Sequence, residues 1–87
     1  MTREEILDYV NIGRDVYNKP QYTKEDIKKG VPDEECLVWA ITIDGKIIPN
    51  AGYYPEEKRW VKVMVRHGLA NEYPIEERVV AYIVYNK

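Results

Sequence analysis

Residues 36–48, "CLVWAITIDGKII", decide how the chain is read. The first eight form an apolar run of strand length, and Asp44-Gly45 follows at once. Asp-Gly between apolar segments predicts a β-hairpin, because both central residues of a type I′ turn need positive φ. "KII" then returns beside the first strand, and Pro49, which lacks an amide hydrogen, is expected to stop it.

Downstream, "KRWVKVMVR" (58–66) alternates, which predicts a strand with Val61, Val63 and Val65 turned inward and Lys58, Trp60, Lys62, Met64 and Arg66 turned outward. "RVVAYIVY" (78–85) is apolar on both sides, as suits an interior strand or one covered on both faces. Upstream, Thr2 and Glu5 match a capping box, so a helix is predicted from about residue 3 to about residue 17. Ile6, Tyr9, Val10, Gly13, Val16 and Tyr17 make its apolar face, and Pro20 lies just beyond it. A weaker pattern, Thr23 with Asp26, opens a second short helix in "KEDIKK" that Gly30 and Pro32 close. The expected fold class is α+β: one domain over residues 1–87, with an N-terminal helix packed on a four-stranded, largely antiparallel sheet and a short second helix. An up-down meander is the simplest strand order. Alternatively the first strand pairs with the last, which redistributes the acidic residues.

The 87 residues are 45% hydrophobic and 32% charged, an ordinary globular usage. Thirteen Lys and Arg against fifteen Asp and Glu leave a net charge of −2, too small to mark a polyanion binder. Cys36 is the single cysteine, so no internal disulfide forms, and "MTREEILDYV" lacks the pattern of a secretion signal. A cytoplasmic setting is expected. No apolar run approaches the roughly 20 residues of a membrane-spanning helix. Eight tyrosines and two tryptophans occur with no phenylalanine, a choice suited to positions with one buried side and one wet side.

"PDEEC", "PEEKRW" and "PIEERVV" each set a proline and paired glutamates before a strand, where they hinder unwanted sheet pairing. Under a meander, the entrances of the first and third strands share an end with the 49–57 loop. That end gathers Glu34, Glu35, Tyr53, Tyr54, Glu56, Glu57, Lys58 and Tyr85. A long loop on a rigid sheet is a place for binding residues, although a solvated connection explains the same stretch.

Trp60, Met64 and Arg66 are residue types that carry protein–protein contacts, and Lys58, Lys62 and Arg66 would select an acidic counterpart. The same interleaving of cations and an aromatic occurs on sheets that bind single strands of nucleic acid. The glycine and aromatic spacing of the common RNA-binding sheets is nevertheless missing, so nucleic acid is not expected. One histidine and one cysteine exclude a metal centre built on several of either, and no cofactor motif occurs. His67 and Cys36, at opposite ends of the meander, make a poor nucleophile and base. The sequence therefore leads to a small non-catalytic binding protein. Its expected partner is a protein, engaged through Tyr53, Tyr54, Lys58, Trp60, Lys62, Met64 and Arg66. The alternative is a small ligand or nucleotide at the Tyr53–Tyr54 loop end, with Lys58 or Arg59 on a phosphate. A homodimer through a sheet edge is a further possibility.

Overall fold

The computed structural model describes residues 2–14 and 17–85. Among them are one α-helix, α1 (Arg3–Asn11), and six strands: β1 (Ile27–Lys29), β2 (Val38–Thr42), β3 (Ile47–Tyr54), β4 (Arg59–Arg66), β5 (Leu69–Pro74) and β6 (Val79–Val84). They form one antiparallel sheet in the order β1-β6-β2-β3-β4-β5. The expectation of a four-stranded sheet with two helices is corrected on both counts.

The helix starts as its capping box requires, with the Glu5 amide donating to Thr2 Oγ1 and the Thr2 amide donating to Glu5 Oε1. It ends at Asn11 rather than near residue 17. There the Asn11 side chain leaves the helix surface to exchange two hydrogen bonds with the Tyr22 backbone, and Gly13 follows as a poor helix former. Tyr17 is exposed, and Val16 lies outside the described residues. Over "KEDIKK" the second capping box does form, but only as the 3₁₀ turn Lys24–Asp26. From Ile27 the chain becomes β1 instead, since Ile27 packs on the core and pairs with Ile83, and this contact outweighs local propensity.

The Asp44-Gly45 hairpin exists with a different turn. Only Gly45 has positive φ, the Gly45 amide donates to Thr42 O, and the Thr42 amide donates to Lys46 O. This is a three-residue connection with a glycine bulge. Both-positive geometry occurs instead at His67-Gly68, with φ of 52° and 79°, which joins β4 to the unanticipated β5. Pro49 does not stop its strand either, because a bulge at Asn50 (φ 54°) absorbs it and β3 continues to Tyr54.

The interior strand reading of 78–85 agrees with the structure: β6 lies between β1 and β2 and packs on both sides. On one face Ile6 and Val10 of α1 close over Tyr22, Ile41, Ala81 and Ile83. On the other, Val38, Ala40 and Ala51 form a fully buried floor beneath Trp60, Ile75, Tyr82 and Val84. That second face is concave. Four residues link β5 to β6, and extended chain of that length reaches about 17 Å, short of the roughly 19 Å between strands four places apart in a flat sheet. The sheet must curl, and it does: the Ile75 amide still donates to Trp60 O on β4, while Arg78 O already accepts from Ile43 beside β2. The curl brings the rings of Trp60 and Tyr82 to 6.5 Å although β4 and β6 are three strands apart.

Candidate interaction surface

Residues directly opposite each other in a sheet share a face. Trp60 is opposite Tyr53, and Lys62 is opposite Ala51, which is itself opposite Val38. Trp60, Lys62, Met64 and Arg66 therefore share the concave side, and the outward, solvated placement drawn from alternation fails for Trp60. Its physical reason is the curl, which covers both faces where β4 begins. Trp60 is half-buried against the alanine floor, with its ring 5.0 Å from Tyr53, and Tyr53 is itself buried. Both belong to the core. Val61 is buried as expected, but Val65 is 69% exposed.

Farther along, β4 leaves the body of the sheet. Its pairing with β3 runs from Tyr54↔Arg59 to Ala51↔Lys62, where the Asn50 bulge turns β3 aside, while pairing with β5 continues to Arg66↔Leu69. Residues 63–72 thus form a two-stranded ribbon, with the Lys62–Tyr73 pair at its base. On its concave side Lys62 faces Tyr73, Met64 faces Asn71 and Arg66 faces Leu69; on the other Val63 faces Glu72 and Val65 faces Ala70. All six β5 residues are exposed, among them Leu69 at 69% and Tyr73 at 44%. The ribbon retains Lys62, Met64 and Arg66 of the expected site and adds Val65, Leu69 and Tyr73. Sequence reading missed β5 because "LANEYP", open on both faces, carries no apolar period; the His-Gly pair between two strand-like segments was its one signal.

The meander end does gather acidic residues. Asp33, Glu35, Tyr54, Pro55, Glu56 and Glu57 line a cleft of about 480 Å³, so pairing of the first strand with the last has not dispersed them. Here β2 pairs with both β3 and β6. Tyr54 is held rather than offered: its hydroxyl donates to the Glu72 carboxylate, which raises the phenol pKa, and the Arg59 guanidinium lies 4.9 Å from its ring centroid. Lys58 is exposed at the end of the turn with φ 54°. Among the described residues no group of three or more metal-ligating side chains converges.

A second cleft, about 500 Å³, opens beside the end of α1, where Trp39 is met edge-on by Tyr9 at 6.0 Å and packed by Tyr85 at 5.1 Å. Buried Arg14 lines it, stacked 3.9 Å from the Tyr22 centroid. Its guanidinium donates to Pro20 O, Tyr22 Oη and Tyr85 O, tying the 12–26 connection to the end of β6. No local sequence pattern marks this aromatic cluster, because its members come from the helix, from β2 and from the residue just after β6.

Cys36 is half-buried against the second core cluster, and burial, aided by Glu34, pushes its thiol pKa up, the direction opposite to an activated nucleophile. His67 occupies the β4–β5 turn. No helix among the described residues is long and apolar enough to cross a membrane. No family model, curated protein or solved structure gives a significant match to the chain.

Proposed function

We propose that this chain is a small non-catalytic binding protein of the cytoplasm that engages a protein partner through the β4–β5 ribbon. The observation that carries the reading is a two-stranded extension, exposed along all of β5, that holds Val65, Leu69 and Tyr73 outside both core clusters. Apolar side chains that add nothing to the core and border an open strand edge favour contact with another chain. Met64, Tyr73 and Arg66 are the anchor types for such a contact, and Lys62 with Arg66 favours an acidic counterpart.

A photo-crosslinking residue at position 69, in the protein returned to an extract of its own host, tests the reading. A discrete adduct that is absent when the same group sits at Lys24 is expected. No adduct at position 69 refutes the proposal.

A second reading rests on the aromatic cleft, where Tyr9, Trp39 and Tyr85 could receive a planar small ligand such as a nucleotide base. A saturable rise in melting temperature against a nucleotide panel, lost in Tyr9→Ala, is its expected sign. Flat curves across the panel would remove it.

A further inference from the structure

We infer that the partner of the β5 edge is a second copy of this chain, added strand to strand about a two-fold axis at Asn71; the inference rests on the ribbon reading above. The argument begins with backbone phase. In the two-residue hairpin Arg66 and Leu69 form a hydrogen-bonded pair, and the Ile75 amide donates to Trp60 O in the same phase. Leu69, Asn71 and Tyr73 therefore direct their backbone groups to β4. The amides and carbonyls of Ala70 and Glu72 point away from the sheet, together with the carbonyl of Pro74.

An antiparallel second copy can meet this edge in few registers. Centred on Glu72, it sets two carboxylates face to face and places Pro74, without an amide hydrogen, opposite Ala70. Centred on Ala70, it slides over the turn and sets Glu72 against Gly68. Centred on Asn71, each Ala70 meets Glu72 of the second copy as a hydrogen-bonded pair, and both outward residues are satisfied. The same register brings Leu69 opposite Tyr73 of the second copy and Asn71 opposite itself, both at the closer, non-hydrogen-bonded spacing. Apolar meets aromatic, amide meets amide, and no like charges oppose each other. The edge is complementary to itself in this one arrangement.

So few residues on each side place the contact in the small interface class, with an expected dissociation constant on the order of tens of micromolar. Sedimentation of the full chain from about 1 μM to about 1 mM brackets that value. A monomer–dimer equilibrium is expected, weakened about fivefold by Asn71→Asp, which opposes two carboxylates across the axis. Register is tested independently. At the Asn71 pair the Cα atoms approach to about 4.5 Å, within disulfide range, whereas two Ala70 residues lie diagonally apart. Cys36→Ser/Asn71→Cys is therefore expected to oxidise to a linked dimer, and Cys36→Ser/Ala70→Cys to remain unlinked.

A chain monomeric at about 1 mM overturns the inference, as does equal cross-linking of the two cysteine variants. The ribbon reading fails separately: a heterologous adduct at position 69 with a monomeric chain retains it and removes self-pairing, while no adduct and no dimer removes both.

Discussion

Trp60→Ala separates the two roles open to this tryptophan. On a solvated outer face it could be truncated with the fold intact; over the floor of Val38, Ala40 and Ala51 it cannot. Truncating a fully buried large aromatic costs about 3–5 kcal/mol. Trp60 keeps a partly wet edge but also loses its ring contacts with Tyr53 at 5.0 Å and Tyr82 at 6.5 Å, so the lower value, about 3 kcal/mol, applies. No neighbour can collapse into the gap, since the floor consists of two alanines and a valine fixed in the ladder. An 87-residue domain has a total stability of roughly 4–13 kcal/mol, so the loss is a large fraction of it. With a urea dependence of about 1.5 kcal/mol/M, the midpoint followed by far-ultraviolet circular dichroism falls by about 2 M. A midpoint within about 0.3 M of the parent protein would refute the buried placement, and with it the curl of the sheet over that face.

Other perturbations probe other parts of the argument. His67→Asn places the preferred residue at the first position of the two-residue turn, where φ is 52°. It is expected to raise the melting temperature by about 3–6 °C, corresponding to roughly 0.5–1 kcal/mol, and an unchanged value counts against the turn assignment. Tyr85→Phe removes the hydroxyl that accepts from the Asn50 amide at 2.7 Å, and a loss of about 1 kcal/mol in chemical denaturation is expected. Burial raises the phenol pKa of Tyr82 above its ordinary 10.0, so the protonated form is favoured in the folded state. The stability linked to it is complete below pH 10 and is lost as pH rises through the folded value. Urea midpoints should thus fall above about pH 10, and less steeply in Tyr82→Phe; identical slopes would contradict the burial.

What could be read from the sequence was what local chemistry decides. The capping box at Thr2, the interior character of 78–85 and the existence of a turn at Asp44-Gly45 follow from side chains a few residues apart, and the structure has each. The errors arose where distant parts of the chain decide. "KEDIKK" has its helix start, yet Ile27 is claimed by Ile83, fifty-six positions away. Alternation along 58–66 correctly divided the residues into two sets but could not tell which set met the core, because a curled sheet buries both near Trp60 and neither near Val65. For the candidate site the consequence is a displacement. Lys62, Met64 and Arg66 stay on the surface proposed for contact, Tyr53 and Trp60 pass into the core, and the proposed apolar complement comes from β5, which has no periodic signal of its own.

The absence of phenylalanine acquires a reason once the tyrosine hydroxyls are traced. Tyr22 buries its ring in the first cluster while its hydroxyl accepts from Arg14 and donates to Tyr85 O. The Tyr85 hydroxyl accepts from the amide of Asn50, the residue whose positive φ turns it out of the ladder, and donates to Asn50 Oδ1. Phenylalanine would bury the same rings but take one acceptor from the buried Arg14 guanidinium and leave the Asn50 amide, already turned out of the ladder, without its hydroxyl partner. A small domain, unable to fix its connections by core volume alone, fixes them by aromatic rings with polar tips. Tyr73 stands apart from these two. Its ring lies opposite Lys62 on the ribbon, outside both core clusters and 44% exposed, on the surface proposed for contact with another chain.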